Sequence, residues 1–414
     1  MSSRNLPYRL VEGGVTAPAG FLSNAVQCGI KSAAKLRLDL GLIYSERPAV
    51  TAAAFTSNKV KAAPVKLCQA HLRSNDIRAV IVNSGNANAC TGPRGICDAK
   101  AMASAAAGQL DLNPTQVLVG STGIIGLPMP MERITPKIPE LVKGLSRSKN
   151  DDIARAIMTS DTKPKSISIE VPLGSKTIRI GAIAKGAGMI SPSMGTMLCY
   201  ITTDAAVGLA ELKKCVSSCV QTTFNRITID GDTSTNDTVV VMANGAAGNR
   251  SIKAGGSQCE TFHNALEWVM LQMAKAIVGD GERVTKFVEV IVKGAATHMD
   301  ARRVAETVAN SLLVKCSWNG GDANWGRIMH AIGYSRARIR EDLIDIFFDG
   351  HIATRNGIAA NTPVEVLRKV VAKKEFTVTI DLNIGKAGYN VYTSDLSQEY
   401  VDFNRTEYAA PVKA

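Results

Sequence analysis

Apolar and polar residues follow two periods along this chain, one near two and one near 3.6, and together they predict a mixture of strands and helices. Ala79–Val82 is an unbroken apolar run and predicts a buried strand, which enters a Gly/Asn loop over Asn83-Ser84-Gly85-Asn86-Ala87-Asn88. An Ala-rich helix is expected from about Ile96 to Leu110. Val117–Val119 predicts another short strand, ending in the loop Gly120-Ser121-Thr122-Gly123. Ser and Ile alternate over Lys165–Val171, which predicts a half-exposed strand. Thr177–Ala184 is its hairpin partner across Pro172-Leu173-Gly174-Ser175. Further strands are expected at Met197–Ile201, Phe287–Val292, Ile344–Phe348 and Phe376–Leu382. Further helices are expected at Leu209–Phe224, Thr261–Val278, Asp300–Leu313 and Pro363–Lys373. Hairpins interspersed with helices predict a layered α/β or α+β architecture.

With 414 residues the chain exceeds the size at which one core usually stops growing, so two or more lobes are expected. Apolar residues at 45% and charged residues at 20% are those of an ordinary soluble globular protein. The net charge of +12 comes from Lys and Arg spread along the chain in runs no longer than pairs such as Lys213-Lys214. Without a basic cluster or a zinc-finger or RNA-binding motif, this charge fits small anionic substrates rather than nucleic acid. Nine cysteines occur with no Cys-x-x-Cys spacing, and no His accompanies Cys215 and Cys219 to complete a metal set. Reduced thiols, no metal and a cytoplasmic setting are therefore expected. No apolar run reaches the ~18 residues needed to span a membrane.

Familiar catalytic motifs are missing. Gly181 to Gly186 has the spacing of a phosphate loop, but Ala187 stands where its lysine belongs. There is no His-Glu-x-x-His and no Gly-x-Ser-x-Gly, and none of the five histidines has a triad context. The unusual stretch is Lys185-Gly186-Ala187-Gly188-Met189-Ile190-Ser191-Pro192-Ser193-Met194-Gly195-Thr196-Met197-Leu198, small residues that enter a strand at Thr196. The plain reading is a glycine loop feeding a strand. The chemical reading is self-cleavage: a Thr after a residue with no bulky side chain attacks the preceding carbonyl, and water opens the resulting ester. The new N-terminal Thr then carries a hydroxyl and an α-amine of pKa near ~8, which can act as its own general base. No histidine is needed.

This segment resembles the self-cleavage segment of the glutamate N-acetyltransferase/ornithine acetyltransferase family. Other blocks of that family recur in order: Ala17-Pro18-Ala19-Gly20-Phe21, Phe55-Thr56-Ser57-Asn58, Asn83 to Asn88, and Ser121-Thr122-Gly123-Ile124-Ile125-Gly126. Ile157-Met158-Thr159-Ser160-Asp161-Thr162, Phe224 through Asp237, Gly279-Asp280-Gly281-Glu282 and Gly321 through Arg327 complete the set. The resemblance implies a layered α/β fold of the ornithine acetyltransferase/DmpA-like type. It also implies cleavage between Gly195 and Thr196, giving an N-terminal chain 1–195 and a C-terminal chain 196–414 that stay together and assemble further as α2β2. Thr196 is the implied nucleophile, with Thr122 and Gly123 as the oxyanion hole. Thr159, Lys185, Thr196, Glu282 and Asn404 are the implied substrate contacts.

The sequence also departs from the family. Gly195 replaces a common Ala, and Ser160 replaces a common Thr. Ala409 and Ala410 stand where a terminal hydroxyl is usual, so no tail hydroxyl is carried over.

The implied reaction moves the acetyl group of N2-acetylornithine to glutamate, with no cofactor, and leaves acetyl-CoA open as a further donor. Two other readings remain at this level. A related Thr-nucleophile amidase or aminopeptidase would pass the acyl group to water, and a basic binding protein would leave Thr196 inert.

Overall fold

The computed structural model describes residues 7–32, 37–74, 76–191 and 197–407. They form two compact units. The first comprises 1–187, 193–225 and 233–277; the second comprises 188–192, 226–232 and 278–414. Of the described residues after the expected cleavage point, 197–225 and 233–277 belong with the first unit. Gly195 and Thr196 lie outside the described residues.

The first unit carries β1 (Arg9–Leu10), β2 (Phe21–Val26), β3 (Leu40–Phe55), β4 (Ile77–Asn86), β5 (Val117–Ile124), β6 (Lys165–Leu173), β7 (Lys176–Lys185), β8 (Leu198–Thr203) and β9 (Thr238–Ala243). Its helices are α1 (Ala63–His71), α2 (Gly92–Leu110), α3 (Met131–Ile134), α4 (Ile138–Lys143), α5 (Asn150–Ala156), α6 (Leu209–Thr222) and α7 (Ser257–Val278). The strands run β1-β6-β7-β8-β9-β3-β4-β5, with β2 also on β3.

β3 joins the two halves of this sheet. Its first part pairs with β2 and β4, and its second part, Val50–Phe55, pairs with β9. The register breaks between Tyr44 and Ala49, around Glu46-Arg47-Pro48. A proline has no N–H for a ladder, so it falls where the strand changes partners. Alternation then sets the layers. Leu40, Leu42, Ala79, Ile81, Val117 and Val119 pack on α2 and α4, while Ile43, Val80, Val82 and Leu118 turn to the opposite face. That face meets Ile183, Leu198, Tyr200, Val240 and Met242 of β7, β8 and β9, so the two halves share one core. Each such aliphatic side chain, fully buried, is worth roughly 1.5–3 kcal/mol.

The second unit carries β10 (Phe287–Ala295), β11 (Asp345–Phe348), β12 (His351–Arg355), β13 (Ile358–Ala359), β14 (Glu375–Asp381) and β15 (Ala387–Ser394), in the order β13-β12-β11-β14-β10-β15. Its helices are α8 (His298–Asn310), α9 (Leu312–Asn319), α10 (Trp325–Gly333), α11 (Val364–Val371) and α12 (Gln398–Glu407). Val288, Val290, Val292, Val378 and Ile380 form a core with Val304, Ala305 and Val308 of α8.

The mixed α/β architecture expected from the sequence is the one observed. Three local expectations change. The strand at Ala79 continues to Asn86 instead of entering a loop, because β5 runs beside it in parallel, pairing Asn83 with Ser121 and Ser84 with Thr122. Its polar side chains are satisfied there: Ser121 Oγ donates to Asn83 Oδ1 at 2.6 Å, and Ser84 Oγ to Ala156 O at 2.6 Å. Thr122 and Gly123 are accordingly strand residues. The helix expected over Asp300–Leu313 ends at Asn310, because Ser311 adopts an extended conformation and caps α9 by accepting the Val314 N–H at 3.4 Å.

Candidate active site

Thr122 and Gly123 sit near the end of β5, in register with Ser84 and Gly85 of β4. Gly85 and Gly123 have φ of +101° and +135°. A Cβ on Gly123 would come within 2.3 Å of the Gly85 carbonyl carbon and 2.5 Å of Asn86 N, so only glycine fits where the two strands close together. Thr122 is buried.

Lys185, the last residue of β7, extends to this point with its side chain 2% exposed. Its Nζ donates to Thr159 Oγ1 at 2.6 Å and to Thr122 Oγ1 at 3.3 Å, and lies 3.8 Å from Asp161 Oδ2. Asp161 also accepts Lys165 Nζ at 2.6 Å, Gly186 N at 2.9 Å and Thr159 N at 3.0 Å. Burial pushes the Asp161 carboxyl up, but the Lys185 and Lys165 ammonium groups and the Gly186 N–H outweigh it and hold it well below the usual carboxylate range. Two lysines thus share one carboxylate, and the buried Lys185 ammonium lies beside Thr122.

Asp237, just before β9, accepts the Met197 N–H on Oδ1 at 3.1 Å. Its Oδ2 is buried with no hydrogen-bond partner among the described residues. Burial raises this carboxyl well above the usual range, against the Met197 N–H, the nearby Thr56 and Ser234 hydroxyls and Lys185, which favours the neutral acid. Next to it, Asn236 Nδ2 donates to Ala87 O at 2.6 Å and Ser121 O at 2.8 Å, tying the approach to β9 to the ends of β4 and β5.

In the second unit, Asp230 accepts the Met189 N–H at 2.5 Å and the Ile190 N–H at 2.8 Å, and Tyr400 Oη donates to it at 3.2 Å. Ile190 O accepts Ile229 N at 2.9 Å and Thr228 Oγ1 at 3.1 Å. Met189 is held at φ +58°, a conformation costly for a residue with a side chain. Glu282 is buried against Gly188, where a Cβ would meet its carboxylate at 2.6 Å. Asn404 Nδ2 donates to Glu282 Oε2 at 3.3 Å and to Tyr400 O at 3.0 Å.

The structure therefore brings Thr122, Thr159 and Lys185 together in one unit, and Glu282 and Asn404 together in the other. Sequence reasoning assigned no role to Asp161, Lys165, Asp230 or Asp237. Asp161, Asp230 and Asp237 all stood inside the family-like blocks, so the signal was present without a role attached to it. No helix among the described residues is long and apolar enough to cross a membrane, and all nine cysteines are free thiols.

Comparison with known proteins agrees with these blocks. The arginine biosynthesis bifunctional protein ArgJ of Geobacter sulfurreducens is 51% identical over 93% of this chain and 98% of its own. The glutamate N-acetyltransferase of Methanocaldococcus jannaschii is 44% identical over 96% of this chain and 98% of its own. Among solved structures, an ornithine acetyltransferase of Mycobacterium tuberculosis complexed with ornithine is 40% identical over 46% of this chain and 99% of its own, with a TM-score of 0.41. The ArgJ family model matches residues 22–409, and with relatives of this identity and coverage the chain belongs to the ArgJ family.

Proposed function

We propose that this chain moves the acetyl group of N2-acetylornithine to glutamate through an acetyl-Thr196 ester, after cutting itself between Gly195 and Thr196. Acetyl transfer in arginine biosynthesis comes with membership of the ArgJ family. The observation that carries the finer reading is the buried positive charge of Lys185 beside Thr122. Lys185 Nζ donates to Thr122 Oγ1, so the hydroxyl proton of Thr122 is left to point at a developing oxyanion.

In self-cleavage, the Thr196 hydroxyl attacks the Gly195 carbonyl, the peptide bond gives way to an ester, and water splits the ester. Gly195 becomes a carboxylate and Thr196 gains an α-amine. That amine then takes the proton of Thr196 Oγ as Oγ attacks the acetyl carbonyl of acetylornithine. The Thr122 hydroxyl and Gly123 N–H hold the oxyanion, each worth roughly 3–4 kcal/mol when well placed. Collapse breaks the amide, and the departing ornithine amine takes the proton. The glutamate amine attacks the ester in turn and restores the Thr196 hydroxyl. Thr159, Lys185, Glu282 and Asn404 are assigned to substrate binding. The cleaved chains pair as α2β2 in the cytoplasm, and no metal or organic cofactor takes part.

A donor and acceptor screen tests this directly. Acetylornithine with glutamate should give acetylglutamate faster than water gives acetate. Hydrolysis as fast as transfer would make the chain an amidase, and turnover with acetyl-CoA would add that donor.

A further inference from the structure

We propose that Glu211, Cys215 and Cys259 form a binding site for a thiophilic divalent cation of the zinc and cadmium class, separate from the Lys185 cluster. Glu211 and Cys215 lie four residues apart on one face of α6, and Cys259 comes from the first turn of α7. Their ligand atoms all lie within 4.8 Å of one another. The Cys259 thiol is 2.9 Å from Glu211 Oε1, and the Cys215 thiol is 3.8 Å from the same oxygen. Glu211 and Cys215 are buried, and Cys259 is half-buried, so a cation can enter past Cys259.

Charge is the reason to place a cation here. Among the described residues, no Lys, Arg or His lies in ion-pair contact with the buried Glu211. Its hydrogen-bond partners are the two thiols. A thiol is a weak donor, and a buried carboxylate held by weak donors is poorly compensated. A divalent cation would supply the missing charge. Two sulfurs and one oxygen suit a zinc-like ion, with a water in the fourth tetrahedral position. On binding, each thiol releases its proton to solvent and the metal takes the two thiolates and the carboxylate as ligands.

The test is titration of the purified full chain with Cd2+ and Co2+, followed by thiolate-to-metal charge-transfer absorption, and with Zn2+, followed by calorimetry. One equivalent should bind. Cys259→Ser and Cys215→Ser should each lower the band at saturating metal and weaken Zn2+ binding by at least on the order of 100-fold, beyond the loss usual for outer-shell partners. Glu211→Gln should weaken binding while keeping a thiolate band. Cys259, being half-buried, can be replaced without opening a core cavity, so that variant decides the matter if Cys215→Ser fails to fold. A band of equal strength in Cys259→Ser would place the metal on other thiols and overturn the proposal, as would the absence of any band in the parent protein.

Discussion

Asp237 Oδ1 accepts the Met197 N–H at 3.1 Å, one residue past Thr196, while Oδ2 of the same carboxyl is buried without a hydrogen bond among the described residues. A carboxyl favoured in its neutral form is closely mimicked by an amide. Asp237→Asn should therefore keep the Met197 contact and the fold. Asp237→Ala should leave the Met197 N–H unpaired and cost at least about 1–3 kcal/mol. Chemical denaturation of both variants checks this, and equal stability of Asp237→Ala and the parent would remove the anchoring role.

Thr196→Ala should give a single uncut chain with no transfer activity. Thr196→Ser, which retains a hydroxyl, should keep part of both. Intact mass and N-terminal sequencing decide the point: the parent should yield fragments 1–195 and 196–414. Acetylornithine alone should add one acetyl group to the fragment beginning at Thr196, and glutamate should remove it.

Thr122→Ala should lower kcat by a factor on the order of 10²–10³ with little change in KM, because an oxyanion exists only in the transition state. Steady-state kinetics would return Thr122 to a purely structural role if kcat were unchanged.

Asp161 compensates Lys165 and Lys185, so Asp161→Asn should leave two buried cations without their shared carboxylate and cost about 3–5 kcal/mol near neutral pH. The folded carboxyl titrates below its unfolded value of ~3.9. Its contribution is therefore complete above that pH and is lost as pH falls through the folded value. Acid unfolding curves of parent and variant should converge at low pH; curves separated by a constant amount down to the acid limit would contradict this assignment.

Lys315 of α9 gives a prediction in a higher pH window. It is fully buried, donates to Thr393 Oγ1 at 2.9 Å and to Ser394 O, and burial pushes its ammonium down to about 7, against the pull of Asp395 and Asp230. The unfolded chain keeps that proton up to ~10.4. Between these values the unfolded state binds more protons, so stability should rise with pH across that window, while below it the cost of burying the charge is felt in full. Lys315→Met should flatten the rise, as followed by thermal unfolding from pH 7 to pH 10. An undiminished rise in the variant would assign it to another group.

The legibility of this chain varied with how local the determinant was. The β6–β7 hairpin could be read because Ser and Ile alternate over it and Gly174 turns it. β3 could not, since Glu46-Arg47-Pro48 reads as the end of a strand and only its change of partners shows that the strand continues. In the site, Thr122, Thr159 and Lys185 were named from motif position. The Asp161–Lys165 pair lies in Ser-Asp-Thr-Lys-Pro-Lys, which reads as a polar surface turn, yet both side chains are at most 1% exposed. Burial of that kind is decided by packing between segments far apart in sequence, which no local pattern records.

β8 and β9 lie between β7 and β3, although both follow Thr196 in sequence and both neighbours precede it. Lys185 is paired with Leu198, and Phe55 with Thr238. A cut before Thr196 would thus leave the two fragments interleaved in one hydrogen-bonded sheet, so that neither could leave without tearing strands from the middle of it. Before the cut, folding is an event within one molecule. After it, a denatured sample must bring two chains back together, so recovery should become second order in chain concentration. Self-cleavage would then give the mature protein a kinetic history: it is assembled once as a continuous chain, and afterwards it persists because its halves cannot part, not because they readily find each other again.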